Sequence, residues 1–534
     1  MKLSIISQVC KSMNKEGLQG TYFKILNKLY NNNLEHNYYK YEEQCSNTRQ
    51  VTIKDQDIKI SIVVPIYNTP NQFLCDMIDS VRKQSYANWE LCIADGGKSI
   101  ENKKLIEEYL KLDSRIVYKD IEENLGIAGN TNVAINLATG EYISFLDHDD
   151  ILMPQALEEV VSAIKQHGAD VIYTDEDKID EEGKRRFCPH IKSDWSLRML
   201  LSYNYICHFT VIKKELIDTY GPVKEGYEGS QDYEFILRMC SNAKTIHHIP
   251  RVLYHWRVNA NSTASNIENK NYALESGQRV LKDYFNNQGI DVDIEQSRCI
   301  GANHIYVKTK EDIKINVVIY GSKKNISNIH NLYEKLKNTA ITNIIFHNIA
   351  EGVYEDATGN LLNTIDYQLK IKQCLYTLVI EENTVIKDIT FIDDLVQEFT
   401  YENIIIVSPL LLSNDHTVRS LGLAVNEGEI STIYKGYNAS QLGYMGRLEI
   451  TQNVFGVEPI VFLTYSEYLL DEIKEVYIQP KQWIKLLEEN QAKVRLTTVV
   501  ARIKILNRSS IRWKDVKTSL ANDKFFPIIR YMND

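Results

Sequence analysis

The order of elements in this sequence predicts an α/β fold with parallel strands, and three observations carry that expectation. A strand–helix–strand–helix alternation begins at Lys59, acidic residues stand at the ends of its strands, and the same order restarts near Lys314. In the first strand, Ile60-Ser61-Ile62-Val63-Val64-Pro65, a β-branched run stops at a proline, as buried strands do. A helical pattern follows from Gln72 to about Gln84. The second strand, Trp89-Glu90-Leu91-Cys92-Ile93-Ala94, ends in Asp95-Gly96-Gly97, and a helix is expected from Glu101 to Leu112. Such alternation implies right-handed crossovers between parallel strands, with ligands bound at the strands' carboxyl ends. Asp95 stands at one such end. Asp147, after Tyr142-Ile143-Ser144-Phe145-Leu146, stands at another.

The restart is specific in its spacing. Lys314-Ile315-Asn316-Val317-Val318-Ile319-Tyr320 parallels Lys59 to Pro65, and Val379-Ile380-Glu381-Glu382-Asn383-Thr384 parallels Phe145 to Asp150. We read an internal duplication of one α/β unit. The expected division is a helical extension over 1–55, a first α/β domain over 56–300 and a second over 301–534. In the extension, Leu18, Tyr22, Phe23, Leu26, Leu29 and Tyr30 recur at helical spacing. They predict an amphipathic helix around 16–31 that packs on the next domain or meets a membrane surface or partner.

Composition bounds the function. A chain of 534 residues with 44% hydrophobic and 25% charged residues is ordinary for two or three soluble domains. The net charge of -10 argues against a nucleic-acid partner. No apolar run reaches the roughly 18 residues that a transmembrane helix needs. The first residues lack the pattern of a secretion signal. The nine cysteines contain no Cys-x-x-Cys pair, which fits reduced thiols in the cytoplasm rather than a zinc site.

The chemistry gathers at Asp147-His148-Asp149-Asp150. Carboxylates this close repel one another and favour a bound cation. Mg2+ and Mn2+ take oxygen ligands and often bridge carboxylates to substrate phosphates. Taken alone, such a run is more often a solvated loop or a helix cap than a metal site, with Asp149 or Asp150 capping the helix near Pro154. Its surroundings add weight: Pro65-Ile66-Tyr67-Asn68, Asp95, the glycine-bearing stretch Glu123 to Asn132, Tyr173-Thr174-Asp175-Glu176-Asp177, Glu228 to Tyr233, and His255-Trp256-Arg257.

In that order, from about Ile60 to Ala264, these segments resemble the family 2 inverting glycosyltransferases, and most of all the bacterial ones that build cell-surface polysaccharides and O-antigens. The resemblance implies a GT-A fold, a Rossmann-like mixed sheet with nucleotide-binding and acceptor-binding halves, followed here by a degenerate GT-A-like α/β domain. It assigns Pro65, Tyr67, Asn68, Asp95, Asn132, Asp147 and His148 to the donor, with Asp147 and Asp149 as the Asp-x-Asp pair. Asp149 and His255 would hold Mn2+ or Mg2+, Asp232 would be the catalytic base, and Asp175, Asp177 and Trp256 would approach the acceptor. Relatives usually carry a second acid after the second strand, where this chain has Gly96.

Each assignment has a plainer alternative. Asp232 opens a helical stretch, where a negative charge is favoured by the dipole alone. His255 fits a satisfied core histidine, Trp256 a packing residue, Asp175 and Asp177 a solvated turn, and Arg238 a structural ion pair. The second copy carries Glu381 and Asn383 at the Asp-x-Asp positions, and its Tyr477 to Leu487 looks like the base-bearing helix without the base.

The expected reaction is metal-dependent transfer of a hexosyl group from a nucleotide-diphosphate sugar, UDP-linked by family frequency, to a hydroxyl of a growing surface glycan. The acceptor would be a glycan, lipid-linked or protein-linked, met in the cytoplasm or peripherally at the inner membrane face, alongside partner glycosyltransferases. The competing readings are a bifunctional polymerase and a non-catalytic glycan- or nucleotide-binding scaffold. Intact Asp147, Asp149 and Asp232 favour the enzyme. A nucleotidyltransferase would want a basic, glycine-rich phosphate loop where Ile66-Tyr67-Asn68-Thr69-Pro70 stands.

Overall fold

In the computed structural model, residues 35–40, 55–258, 267–308, 313–337, 341–401, 403–492, 497–507, 513 and 516–518 are described. The amphipathic helix expected around 16–31 lies outside the described residues. The chain divides into two compact units, Met1–Gly289 and Ile290–Asp534.

The first unit alternates as the sequence pattern requires. Strand β1 (Ile60–Ile66) leads to helix α1 (Asn71–Arg82), then β2 (Trp89–Asp95), α2 (Ile100–Leu112), β3 (Ile116–Asp120), α3 (Gly126–Leu137) and β4 (Tyr142–Phe145). These four strands are parallel and neighbour one another in the order β3-β2-β1-β4. All seven residues of β2 are buried and β1 is nearly so, which explains why both read as continuous apolar runs rather than alternating ones. Ile62, Val64, Leu91 and Ile93 are completely buried in the main core, each stabilising by about 1.5–3 kcal/mol relative to exposure. Ser99 starts α2 by accepting the Asn102 N–H at 3.1 Å.

The second half of the unit turns the sheet mixed. It contains β5 (Ile151–Leu152), α4 (Ala156–His167), β6 (Val171–Ile179), β7 (Arg186–His190), β8 (Thr210–Lys213), α5 (Gln231–Asn242), β9 (Ile246–Arg257) and α6 (Ile267–Asn286). The sheet continues β4-β8-β6-β9-β5, with β8 antiparallel to β4 and β6, and with β6 and β9 parallel. The carboxyl ends of β1, β2, β4, β6 and β9 therefore share one edge. Helix α4 ends at Gly168, whose φ of +59° closes the last turn with its N–H on the Ile164 carbonyl. Its N-cap is Gln155, so neither Asp149 nor Asp150 caps it.

The second unit opens with a two-stranded ribbon, β10 (Val292–Gln296) and β11 (Asn303–Val307). Its main sheet holds β12 (Ile315–Gly321), β13 (Ile341–Asn348), β16 (Tyr376–Glu381), β17 (Thr384–Val385), β18 (Ile404–Leu412), β23 (Val461–Tyr465) and β24 (Thr497–Asn507), counting the shorter strands between them. The path β13-β12-β16-β23-β18-β24-β17 repeats β2-β1-β4-β8-β6-β9-β5, strand for strand and direction for direction. Ile60 pairs Tyr142 in the first sheet, and Ile315 pairs Tyr376 in the second. That register places Glu381, Glu382 and Asn383 at the positions of Asp147, His148 and Asp149.

Candidate active site

Because β1 and β2 are parallel and in register, Ile66 lies beside Asp95 at the shared edge. The chain then leaves β1 through Tyr67 and Asn68, both exposed, with Asn68 at φ +49°. Asn68 Oδ1 accepts the Lys98 N–H at 3.2 Å. Asp95 is completely buried, and its two oxygens accept the Gly97 N–H at 2.8 Å and the Tyr118 hydroxyl at 3.0 Å. Burial raises its carboxyl above the ordinary range, against the pull of these donors. At Gly96, where the resemblance expects a second acid, a Cβ would lie 2.5 Å from Asn130 Nδ2 and 2.9 Å from Asn124 Oδ1, so a side chain there would push both amides aside. Those two amides bond to each other at 2.9 Å and brace the turn into α3.

The acid run leaves β4 and turns immediately into β5. Asp150 is fully buried, accepting the Tyr254 hydroxyl and, at 2.7 Å, the Arg257 backbone N–H. The Asp147 side chain is 49% exposed, and its backbone N–H donates to Tyr254 Oη at 3.3 Å. Asp149 lies 3.8 Å from His148 Nδ1. Burial, with the neighbouring acids added, raises Asp150 well above the ordinary carboxyl range and raises Asp149 as well. The run is thus an array of crowded acids in a partly dry place, which a cation would relieve.

Arg257 holds this turn in place. Its buried guanidinium donates to the Asp149 carbonyl at 2.7 Å, the Glu181 carbonyl and Asp76 Oδ2 at 2.9 Å, and it lies 4.6 Å above the Phe73 ring. Removing it strands a carboxylate and two carbonyls. Arg257→Met is expected to cost about 3 kcal/mol of stability, read as a lower denaturation midpoint by circular dichroism. An unchanged midpoint would contradict this bracing role.

Opposite the acid run lies a loop that the sequence patterns did not single out. Asn204 Nδ2 donates to Asp232 Oδ2 at 2.9 Å, and Asn204 Oδ1 accepts the Cys207 N–H at 3.2 Å. The next residue, His208, brings Nε2 to 4.0 Å from Asp147 Oδ2. One short loop therefore touches Asp232 and approaches Asp147. Asp232 sits in the first turn of α5, and burial raises its carboxyl, with the Asp147 charge adding and His208 opposing. The loop is anchored from beneath by Lys192, whose buried ammonium donates to the Ile206 carbonyl at 2.6 Å, the His208 carbonyl and Glu176 at 3.1 Å. Burial alone would raise Glu176, but Lys192 and the His190 ring outweigh it and hold the carboxylate low. Asp147, Asp150 and His208 bring ligand atoms within 4.8 Å of one another.

Residues 61–221 match the family described as Glycosyl transferase family 2. Within the first unit, the matched residues are a family 2 glycosyltransferase domain. Its α/β sheet, parallel on one side and mixed on the other, is the expected GT-A architecture. An uncharacterized protein of Sinorhizobium fredii, y4gI, is 44% identical over 230 residues, covering 42% of this chain and 25% of the relative. The O-antigen biosynthesis protein RfbC of Myxococcus xanthus is 32% identical over 237 residues, covering 44% of this chain and 18% of the relative. The chain thus matches a quarter or less of the length of these two curated relatives. The crystal structure of S. aureus TarS 1–349 in complex with UDP is 19% identical, with a TM-score of 0.34, covering 43% of this chain and 72% of that one.

Within the glycosyltransferase domain several residues stand differently from their expected places. Asp175 and Asp177 are neither a solvated turn nor presented to an acceptor, for both are interior residues of β6, 2% and 0% exposed. Buried carboxylates need partners. Asp175 takes His248 Nε2 at 2.9 Å and the Lys192 N–H at 2.8 Å. Burial disfavours charge on His248, but Asp175 and Asp194 outweigh it and lift the ring to about 9. Asp177 takes His255 Nδ1, Arg186 Nε at 2.7 Å and the Tyr39 hydroxyl at 3.0 Å. His255 is therefore 6% exposed and already paired, outside the group of converging ligand atoms, and so is Asp149. Asn132 spends both ends of its amide on the Val223 backbone, at 2.8 and 3.0 Å, and serves the scaffold rather than a ligand. Arg238 pairs with Glu234 at 2.8 Å and with the carbonyls of residues 220–222. Trp256 packs beside His208, ring centroids 6.0 Å apart, with Lys178 Nζ 4.8 Å over its face.

In the second unit the equivalent edge closes on itself. Glu381 accepts the Asn383 backbone N–H at 2.9 Å and its side-chain amide at 2.7 Å, and Asn383 Oδ1 accepts Asn325 Nδ2 at 3.1 Å. Glu382 is buried against Gly321, with Oε1 on the Ser322 N–H at 3.1 Å. In place of α5, helix Pro480–Ala492 presents Trp483, whose indole donates to the Val457 carbonyl at 2.7 Å.

Proposed function

We propose that the first unit transfers a hexosyl group, with inversion, from a nucleotide-diphosphate sugar to a hydroxyl of a growing cell-surface glycan. The observation that supports this most is the loop of Asn204 to His208, which joins Asp232 to the acid run while Asp95 and Asn68 line the neighbouring strand ends. Pro65, Tyr67 and Asn68 receive the nucleoside, the exposed Tyr67 offering a ring face to the base, while Asp95, expected at the donor, is buried and bonded to Gly97 and Tyr118 and shapes the turn behind them. Asp147, with His148 beside it, faces the ribose and diphosphate. Mn2+ or Mg2+ bound there would neutralise the charge that develops on the departing diphosphate. Asp232 takes the proton from the acceptor hydroxyl. Burial suits it to this task, because a carboxylate lifted above its ordinary value is a stronger base. Its hydrogen bond from Asn204 holds Oδ2 in place. Trp256 supplies an apolar ring edge to the acceptor sugar.

The donor is UDP-linked in this reading, the acceptor is lipid- or protein-linked, and the chain works in the cytoplasm at the inner membrane face with partner glycosyltransferases. The described residues contain no helix long and apolar enough to cross a membrane. The second unit is a degenerate copy that binds acceptor or serves assembly, because Glu381 and Asn383 satisfy each other. A donor-hydrolysis screen over UDP-, GDP- and dTDP-hexoses, each with Mn2+, Mg2+ or EDTA, tests the reading. Hydrolysis of one nucleotide class that EDTA abolishes is expected. No response to any donor or metal would favour a non-catalytic scaffold.

A further inference from the structure

The resemblance placed a nitrogen ligand for the cation at His255, yet His255 is buried and bonded to Asp177. His208 is held differently. Its peptide is clamped on both sides, the N–H on Glu176 Oε2 at 3.1 Å and the carbonyl on Lys192 Nζ. Its ring stacks on Tyr254, centroids 4.8 Å apart and planes 10° apart. Tyr254 is the residue whose hydroxyl holds Asp150 and receives the Asp147 N–H. Among the described residues the His208 ring makes no hydrogen bond. Nε2 faces Asp147 Oδ2 across 4.0 Å, too far for a hydrogen bond. Two ligand atoms each about 2.1 Å from one cation stand roughly 3–4.2 Å apart, so this gap is the size a shared ion fills.

We propose that His208 is the nitrogen ligand of the cation, completing with Asp147 and Asp150 a site built from the β4 end and the loop before β8. The proposal rests on the metal-dependent reading above and names the residues that serve it. A consequence is metal choice. Mg2+ keeps a near-ideal octahedral oxygen shell and dehydrates reluctantly, whereas Mn2+, a first-row transition ion, accepts a nitrogen ligand more readily. The site is therefore expected to take Mn2+ in preference to Mg2+.

The test is pulsed electron paramagnetic resonance of Mn2+ bound to the purified full chain, with Mn2+ alone and with Mn2+ plus UDP. Wild type should show nitrogen modulation that changes isotope pattern when histidine is 15N-labelled. His208→Gln should lose the modulation and weaken Mn2+ binding at least about tenfold. His255→Gln should keep the modulation. His208→Asp guards against a folding defect: it should still bind a cation, without nitrogen modulation and with its preference moved towards Mg2+. Modulation that survives in His208→Gln, or bound Mn2+ without any nitrogen modulation in wild type, would overturn the proposal and leave metal dependence intact. No Mn2+ binding in either condition would overturn both.

Discussion

Replacing Asp147 and Asp149 together by alanine is expected to abolish sugar transfer by the full chain. Asp147 is the exposed member of the acid run, and Asp149 crowds it from within. Losing cation and diphosphate stabilisation removes about 4 kcal/mol or more from the transition state, at least a thousandfold in rate. The fold should survive, because the turn is held by Asp150, Tyr254 and Arg257 rather than by the two replaced side chains. The measurement is transfer or donor hydrolysis by the double variant, for every donor that wild type accepts. Residual transfer of any sugar would show a second active unit and would contradict the assignment of all chemistry to the first.

Asp232→Asn is expected to lower turnover by about 10²–10⁴ while leaving donor affinity unchanged. The amide is nearly isosteric and can still meet Asn204, so structure and donor binding persist, but it cannot take a proton. The pH profile of wild type carries the same information. Because burial raises the Asp232 carboxyl, the charged form is lost at a higher pH than for an ordinary aspartate. Activity should therefore rise with pH through a limb displaced upward from the usual carboxylate range. Unchanged turnover in Asp232→Asn would reject its role as base.

What could be read from the sequence followed from local pattern. The strand ends at Asp95 and Asp147 were legible because continuous buried runs stop where the chain turns polar. The duplicated strand order was legible for the same reason, and the shared register aligns Glu381 with Asp147. What could not be read depends on which strands lie side by side. Asp175 and Asp177 look like a turn in a polar stretch, yet β9 runs parallel to β6 and supplies His248 and His255 to bury them. His208 and Asn204 stand in an otherwise apolar segment before a short strand, and the Glu176–Lys192 clamp and the Asn204–Asp232 bond, both between residues far apart in sequence, give the loop its direction. The one available signal was a polar pair, Asn204 and His208, inside a run rich in aromatic and aliphatic residues. The surroundings of Gly96 were also non-local: Asn124 and Asn130 close over it, and a side chain there would have to displace their amides.

With Asp232 as base, the proposed transfer is a direct displacement at the anomeric carbon. Proton NMR of the first sugar product released from the accepted donor tests it most directly. Wild type should form a product whose anomeric configuration is opposite to that of the donor, and Asp232→Asn should not. A first product with the donor's own configuration would contradict it.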